Sequence, residues 1–207
     1  MRHMTLRELP QEKADFGRKP TLDGDRVVLR PVTADDVPAL LPLFRDPETA
    51  RLTGGHGLHR YDEARLREWY GSRADRDDRL DLAVVERGSG AVVGEVVLHE
   101  WDPPNESSSF RIALVPAATG RGLGTEATRL LLRYGFEVLG LHRIALEVFT
   151  TNPRARRAYE KAGFVVEGVL REALLWEGER VDAVVMAALA PGSGCSRPAE
   201  WEAPGGG

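Results

Sequence analysis

The sequence predicts an α/β fold in which a single mixed β-sheet is flanked by helices. Two strand-like runs, at 80–86 and 91–99, are separated by Arg-Gly-Ser-Gly, which is typical of a β-hairpin. Further along, the alternating stretch 107–115 leads into a glycine-rich loop, an amphipathic helical run ending near Gly140, and another strand at 143–149. This order of strand, loop, helix and strand predicts one crossover unit in the middle of the chain.

The remaining elements follow from local signals. Thr33 is typical of a helix N-cap, and Asn152 followed by Pro153 predicts another helix start, which Gly163 ends. Further strands are predicted at 26–31, 164–174 and 180–189. Further helices are predicted at 34–44, from Pro47, and at 61–74. The glycine-rich segment 52–60 is expected to be a mobile loop.

Length and composition favour one soluble domain of 207 residues. We expect a flexible N-terminal arm over 1–20, a folded domain over 21–190 and a disordered tail over 191–207. The net charge of −4 argues against nucleic acid as a partner, and no apolar run predicts a membrane span or a signal peptide. The single cysteine, Cys195, allows no intrachain disulfide and no cysteine-based metal site, so a cytoplasmic location is expected.

The glycine loop is the strongest candidate for a binding site. Gly120, Gly122 and Gly124 precede a helix whose first N–H groups lack intrahelical partners, and the helix dipole adds positive potential there. Such a site suits a phosphate or diphosphate, with Arg121 as a further donor. Alternatively, the glycines only form a turn and relieve crowding where the helix begins.

A second interpretation is dinucleotide binding. The segment 122–127 matches the pattern Gly-x-Gly-x-x-Ala, and Glu147 follows about 20 residues later at the end of the next strand. However, a dinucleotide-binding turn follows its strand almost immediately, whereas here residues 116–119 intervene. We therefore treat this interpretation as the remote one.

Two motifs together resemble those of the GCN5-related N-acetyltransferases (GNAT superfamily), and the resemblance covers residues 26–189. The loop motif runs over 119–124, with Thr119 where the family usually has Gln or Arg. The second motif matches at Asn152, Ala158, Tyr159, Glu160, Lys161, Gly163 and Phe164, and has Ala155 at a common serine position. The similar branch contains ribosomal-protein-alanine and spermidine acetyltransferases. The resemblance implies a mostly antiparallel, twisted, seven-stranded sheet with about four helices.

The resemblance also implies an acetyl-CoA site without a metal. The diphosphate would rest on the loop amides and the pantetheine arm would lie between the strands at 107–115 and 143–149, which splay apart in this family. A backbone N–H near Leu114 or Val115 would polarise the acetyl carbonyl. The implied CoA-binding residues are Leu114, Val115, Thr119, Gly120, Arg121, Gly122, Leu123, Gly124, Thr125, Asn152 and Tyr159. Asn152 is equally consistent with a plain N-cap.

Tyr159 corresponds to a family tyrosine that donates a proton to the departing thiolate, although its spacing alone fits a core residue. The glutamate that relatives often place early in the strand before the loop is Ser109 here. Alternative bases are Glu106 or Glu100, and less directly Asp102 or Glu95. The histidines His56 and His99 titrate in the right range but also fit ordinary structural positions.

The expected acceptor pocket is formed by His56, Glu100, Trp101 and Asp102, with Trp101 alternatively a surface residue under a loop. The sequence thus predicts an acetyl-CoA-dependent N-acetyltransferase acting on a primary amine through a ternary complex. A protein N-terminus, a polyamine and a small amine all fit as acceptor, and a homodimer is compatible. An acyl-CoA-binding module without chemistry is the alternative, motivated by Ser109.

Overall fold

The computed structural model describes residues 15–57 and 61–192. Its strands are β1 (Leu22–Asp23), β2 (Val27–Pro31), β3 (Leu80–Glu86), β4 (Val92–Asp102), β5 (Ser107–Leu114), β6 (Arg143–Phe149), β7 (Val165–Trp176) and β8 (Glu179–Leu189). Its helices are α1 (Val37–Arg45), α2 (Pro47–Thr53), α3 (Glu63–Gly71), α4 (Leu123–Glu137) and α5 (Pro153–Ala162). No helix among these residues combines the length and apolar character needed to cross a bilayer.

The predicted α/β class with one mixed sheet is confirmed, but the element count was slightly wrong. Across the described residues the sheet has eight strands instead of seven, and there are five α-helices instead of about four. The additional strand is β1, whose two residues pair with β2 and are too few to show an alternating pattern. In the segment predicted to be a loop over 52–60, α2 continues to Thr53 and Gly54 ends it at φ 66°; residues 58–60 lie outside the described part.

The strands lie in the order β1-β2-β3-β4-β5-β6-β8-β7. Every neighbouring pair is antiparallel except β5 and β6, which are parallel. A parallel pair needs a crossover connection, and α4 supplies it. The single crossover predicted from the sequence is therefore present, and it puts the beginning of α4 at the carboxyl end of β5.

Helices cover both faces of the sheet. The larger core lies on the face under α4 and includes Leu123, Ala127 and Leu131 of that helix, with α5 packed beside it through Ala155 and Tyr159. A smaller core on the other face joins α1 and α3 to the sheet. Its buried residues are Val32, Val37, Leu40, Leu41, Leu43, Leu66, Tyr70 and Ala83. Both faces of the central strands are thus covered, which explains their nearly continuous apolar sequences.

The last part of the predicted flexible arm is held on the domain. Phe16 is 1% exposed and its ring lies 5.0 Å from that of Trp101. The Lys19 ammonium donates hydrogen bonds of 2.7 Å to the carbonyls of Phe16 and Arg79. One aromatic side chain in an otherwise polar, aperiodic segment is enough to anchor it. Residues 1–14 and 193–207, most of the predicted arm and tail, lie outside the described residues.

Candidate active site

The sheet opens between its two parallel strands. β5 and β6 pair only at Ser107–Arg143, Ser108–Ile144 and Ser109–Ala145. Beyond these three pairs, β5 stays with β4 as far as Leu114, while β6 stays with β8 as far as Phe149. The carboxyl-terminal halves of β5 and β6 therefore line a cleft within the sheet, as the family resemblance implied.

Backbone groups on both edges point into this cleft. The Val115 N–H donates to the Val93 carbonyl at 2.9 Å, and hydrogen-bonding direction alternates along an antiparallel ladder. The N–H and C=O groups of Ile112 and Leu114 therefore face away from β4, toward β6. On the other edge, the Thr150 N–H donates to Asp182, and the same alternation turns Glu147 toward β5. A backbone N–H of Leu114 or Val115 was expected to polarise the acetyl carbonyl. The Val115 N–H already donates to Val93, whereas the Leu114 N–H faces the cleft.

The glycine loop presents an uninterrupted row of donors. A 3-10 turn at Pro116–Ala118 follows β5, and Gly120 and Gly122 adopt φ values of 73° and 81°, with Gly122 as the N-cap of α4. None of the six consecutive N–H groups from 120 to 125 donates a hydrogen bond to a described residue. Six unused donors in the loop and the first turn of a 15-residue helix suit an anion.

Glycine is favoured by geometry at two of these positions. A Cβ on Gly124 would lie 3.2 Å from Leu114 Cδ1, and one on Gly122 would lie 3.0 Å from the Arg26 Nη1 atom. Gly122 also has a positive φ, which disfavours any side chain. The conformation of the loop therefore favours glycine at 122, and a side chain at 124 would require Leu114 to shift.

Arginines surround the loop. Arg154 at the start of α5 donates a 3.2 Å hydrogen bond from Nη1 to the Thr119 hydroxyl, whose own hydrogen bond goes to the Pro116 carbonyl at 2.8 Å. Arg121 forms an ion pair with Glu86, and Arg26 lies next to Gly122. Arg26 and Arg154 were missed in the sequence because they lie about 100 and 30 residues from the loop, and only the fold brings them to it.

Asn152 and Tyr159 lie on α5. The Asn152 side chain caps the helix by accepting the Ala155 N–H at 3.1 Å, so its N-cap role is confirmed. The Tyr159 ring makes edge contacts with Phe110 and Phe164, with centroids 6.1 and 5.9 Å away. Burial raises the pKa of Tyr159 to about 12, so its hydroxyl stays protonated at neutral pH. The ring thus belongs to the core while the hydroxyl keeps a proton available.

Ser109 holds a carboxylate in place. Its hydroxyl donates a 2.7 Å hydrogen bond to Glu100 Oε2, and Glu100 has a φ of 53° at a bulge in β4. His99 Nδ1 lies 3.8 Å from the other Glu100 oxygen, and burial lowers the pKa of His99. A carboxylate therefore reaches the position of the missing family glutamate from the neighbouring strand.

The other predicted bases have different contacts. Both oxygens of buried Glu95 are engaged, one by Tyr70 and one by Arg111. Asp102 accepts hydrogen bonds from Asn105, and exposed Glu106 precedes the paired end of β5, away from the cleft. Among the described residues, no cluster of three or more His, Cys, Asp or Glu side chains is arranged for a metal ion.

Glu147 is the residue whose position the sequence did not reveal. Its neighbours Leu146 and Val148 are buried in the core under α4, so alternation places Glu147 on the opposite face. Its carboxylate is exposed, lies in the splayed half of β6, and forms no ion pair with a described residue. In the sequence it stood out only through the dinucleotide pattern, and the alternation of exposed Glu147 within a buried strand was the signal available.

The residues expected to form the acceptor pocket contact different parts of the molecule. Trp101 packs on Phe16, whereas the His56 ring stacks on Trp176 at a centroid distance of 5.0 Å. Trp176 lines a cavity of about 270 Å³ between α2 and the β7–β8 hairpin. The other lining residues are Arg51, Thr151, Leu174, Glu177, Glu179 and Val181. The Thr151 hydroxyl is buried there without a hydrogen-bond partner among the described residues.

The dinucleotide interpretation does not fit this architecture. The strand before the loop, β5, is antiparallel to β4, and a 3-10 turn separates it from the glycines. A dinucleotide-binding unit needs a strand in a parallel series that turns directly into its helix. The loop instead opens beside a cleft in the sheet, between the splayed ends of β5 and β6.

A family model described as an acetyltransferase (GNAT) domain matches residues 26–165. The chain belongs to this family and is therefore related to acyltransferases. Relatives named as spermidine and as ribosomal N-acetyltransferases are among the matches, which confirms the predicted branch.

Individual relatives differ in how much of the chain they cover. A Bacillus subtilis (strain 168) protein named uncharacterized N-acetyltransferase YoaA is 26% identical over 173 residues, 83% of this chain and 98% of its own. The spermidine N(1)-acetyltransferase of Vibrio cholerae is 36% identical over 99 residues, 48% of this chain and 57% of its own. The crystal structure of a Vibrio cholerae spermidine N-acetyltransferase in complex with CoA and spermine has a TM-score of 0.72 and 26% identity, covering 80% of this chain and 96% of that one.

Proposed function

We propose that this protein transfers an acetyl group from acetyl-CoA to a primary amine. The observation that carries the proposal is the row of six free N–H groups at 120–125 beside the cleft between β5 and β6. Such a row suits a diphosphate, and the cleft offers strand edges to an extended, amide-containing arm. A related structure in complex with CoA supports this fit.

The residues present fit CoA in three places. The loop amides would hold the diphosphate, while Arg26 and Arg154 supply positive charge beside it. The free backbone groups of Leu114, next to the loop, and of Glu147 would pair with the pantetheine amides. The Ile112 N–H, deeper in the cleft and closer to Phe110 and Tyr159, would lie at the acetyl carbonyl, where a backbone donor stabilises developing negative charge. Acetyl-CoA supplies a thioester whose carbonyl carbon an amine can attack.

Tyr159 is assigned as the general acid. Acetyl transfer forms a C–N bond and breaks the C–S bond, so one proton must leave the amine and one must reach the departing sulfur. The raised pKa of Tyr159 keeps its hydroxyl protonated, and its ring is fixed by Phe110 and Phe164. Tyr159 therefore holds the second of these protons in a defined place next to the cleft.

Two carboxylates are candidates for the general base. A free alkylamine has a pKa of about 10.4, so at neutral pH it must lose a proton before it attacks. Glu147 lies on the cleft edge of β6, and Glu100 reaches the edge of β5 through Ser109. We assign the role to Glu147, because it lies in the splayed half of its strand, whereas Ser109 is still paired with β6.

The cavity beside Trp176 is the proposed place for the body of the acceptor. It begins next to Thr151, two residues past the end of β6, and so lies near the carboxyl end of the cleft. Its aromatic wall suits the aliphatic part of an acceptor, beside the charged groups of Arg51, Glu177 and Glu179. Spermidine, a polyamine, is the acceptor in the names of three relatives, and a protein N-terminus or a small amine fits as well.

The direct test is thiol release. Purified protein is mixed with acetyl-CoA and a panel of primary amines while free CoA thiol is followed. Acceptor-dependent release at a rate well above spontaneous hydrolysis is the expected result. Tight CoA binding without release on any acceptor would overturn the enzymatic proposal.

Ser109 favours a second candidate function, an acyl-CoA-binding module that lacks chemistry. The family glutamate is absent at this position, and the hydroxyl that replaces it is bonded to Glu100. In that case calorimetry would show CoA binding at the loop, and Tyr159→Phe would leave every measured property of the complex unchanged. The thiol assay separates the two functions.

A further inference from the structure

Arg111 is held at the edge of the cleft by a buried carboxylate. It lies on β5 two residues past Ser109, in the part of the strand that has left β6. Its Nη2 donates a 3.0 Å hydrogen bond to Glu95 Oε1, and the Tyr70 hydroxyl donates to Glu95 Oε2 at 2.8 Å. The Glu95 side chain is 5% exposed, whereas that of Arg111 is 49% exposed.

This arrangement holds the Arg111 guanidinium through one hydrogen bond and leaves its other N–H donors available. A buried carboxylate is stable only when its oxygens are paired, so Glu95 keeps both Tyr70 and Arg111 in place. Tyr70 is itself buried, and burial followed by the charge of Glu95 raises its pKa. The Arg111 guanidinium donates no other hydrogen bond to a described residue, so its remaining donors are available to a ligand.

Alternation along the strands places this charge on a particular face. Ile112 and Leu114 lie against Gly124 on the face of α4, so Arg111 lies on the opposite face. Glu147, on the other edge of the cleft, faces the same side, as argued from its buried neighbours. The cleft therefore has a cation on one edge and an anion on the other.

We propose that Arg111 selects acceptors that carry a carboxylate next to the reacting amine, as free α-amino acids do. This inference rests on the proposed function and deepens it by naming the acceptor class. Arg111 binds the carboxylate through its free donors, with Glu95 as the positioning residue behind it, and Glu147 faces the amine. A guanidinium pairs well with a carboxylate because two parallel N–H groups match its two oxygens.

The same charge disfavours a polycation. A polyamine has no carboxylate to accept hydrogen bonds from Arg111. Its second positive charge would be repelled by the guanidinium, which Glu95 holds at the cleft. An amino acid presents opposite charges to the two edges. The acceptor class of this chain thus differs from the one that its spermidine-acetylating relatives are named for.

The test compares matched acceptors in the thiol-release assay. The panel contains the common α-amino acids, their carboxamides, an alanine-initiated peptide and spermidine. We expect at least one amino acid to exceed its carboxamide in kcat/KM by roughly tenfold or more, the scale of one charge-assisted hydrogen bond. In Arg111→Gln this ratio falls toward one through a higher KM for the amino acid, and Glu95→Gln gives a smaller change of the same kind.

Arg79→Gln is the matched control. Arg79 forms a 2.7 Å ion pair with Asp81, a second buried carboxylate, which lies on β3. Asp81 is opposite Val97 on β4, and Val97 is opposite Arg111 on β5. This variant loses a comparable ion pair but leaves the amino-acid-to-carboxamide ratio unchanged. If spermidine, the carboxamides or the peptide have a higher kcat/KM than the amino acids, and Arg111→Gln does not change this order, the inference is overturned and the proposed function remains intact. Absence of thiol release with every acceptor would overturn both.

Discussion

The ring of Tyr159 meets the ring of Phe110 edge-on, with 6.1 Å between centroids and an angle of 84° between their planes. Phe110 is the first residue of β5 beyond the three pairs with β6. The side chain that we assign as general acid is therefore seated against the residue at which the cleft begins. Its position depends on the core, and its hydroxyl is the part that remains for chemistry.

Tyr159→Phe keeps the ring contacts and removes only the hydroxyl. We expect kcat to fall by roughly a hundredfold or more, the usual contribution of a general acid, while CoA affinity changes little. Because the pKa of Tyr159 is raised to about 12, the wild-type rate should show no loss from tyrosine ionisation between pH 6 and 9. Steady-state kinetics across this range and CoA titration provide the two measurements. A variant with unchanged kcat would remove Tyr159 from the mechanism.

Gly120→Ala tests the loop as an anion site. Gly120 has a φ of 73°, and no atom lies within 4 Å of the position that an added methyl would take, so alanine brings backbone strain and no clash. We expect about 1 kcal/mol of destabilisation together with weaker CoA binding. Gly140→Ala is the matched control, because Gly140 has a φ of 67° and equally open surroundings at the other end of α4. Equal CoA affinity in the two variants would contradict a role for the loop.

Glu147→Gln removes the charge that we assign to the general base. We expect a lower kcat with an unchanged KM for acetyl-CoA, because the side chain faces the acceptor side of the cleft. Glu100→Gln removes the negative charge beside Ser109, while its amide oxygen can still accept the Ser109 hydrogen bond, and should have a smaller effect. Kinetics of both variants with the best acceptor distinguish the candidates, and a larger loss in Glu100→Gln would transfer the role to that residue.

Asp36 makes a pH-dependent contribution to stability. It is 5% exposed; burial raises its pKa, but hydrogen bonds from Arg30 and from the Thr33 N–H outweigh burial, so the net shift is downward. The stabilisation is present above the unfolded pKa of about 3.9 and is lost as pH falls through the lower folded value. Asp36→Asn should therefore cost about 2 kcal/mol at pH 7 and less at pH 3, which lies below the unfolded pKa. Urea unfolding at both pH values measures this.

The exposed pair between Arg156 and Glu160 on α5 serves as the reference for that experiment. Glu160→Gln should change the free energy of unfolding by no more than about 0.5 kcal/mol at either pH, as is usual for exposed pairs on a helix. An effect of Asp36→Asn as small as this would contradict the role given to the buried carboxylate.

Local sequence signals predicted much of the fold, including the glycine loop at the start of α4. The hairpin of β3 and β4, the glycine loop and the Asn152 cap each depend on a few adjacent residues, and all three are present. The two-residue strand β1 was missed because its pairing depends on β2 and leaves no pattern of its own.

The acceptor side was the part that the sequence could not assemble. Glu100, Trp101 and Asp102 are adjacent in sequence, yet they contact Ser109, Phe16 and Asn105 respectively. The bulge in β4 and the docking of Phe16 cause this separation, and neither has a local signal. Arg111 and Glu147 lie on opposite edges of the cleft only because β5 and β6 are neighbours, which is a tertiary relationship.

The seam between β5 and β6 has a mechanical consequence. Only three residue pairs join the five strands β1 to β5 to the three strands β6, β8 and β7. Few backbone hydrogen bonds therefore connect these two parts of the sheet. A ligand that hydrogen-bonds to the edges of both β5 and β6 would connect the two parts of the sheet, so that the unfolding of one part is coupled to the unfolding of the other. Occupancy should then sharpen the unfolding transition as well as raise its midpoint.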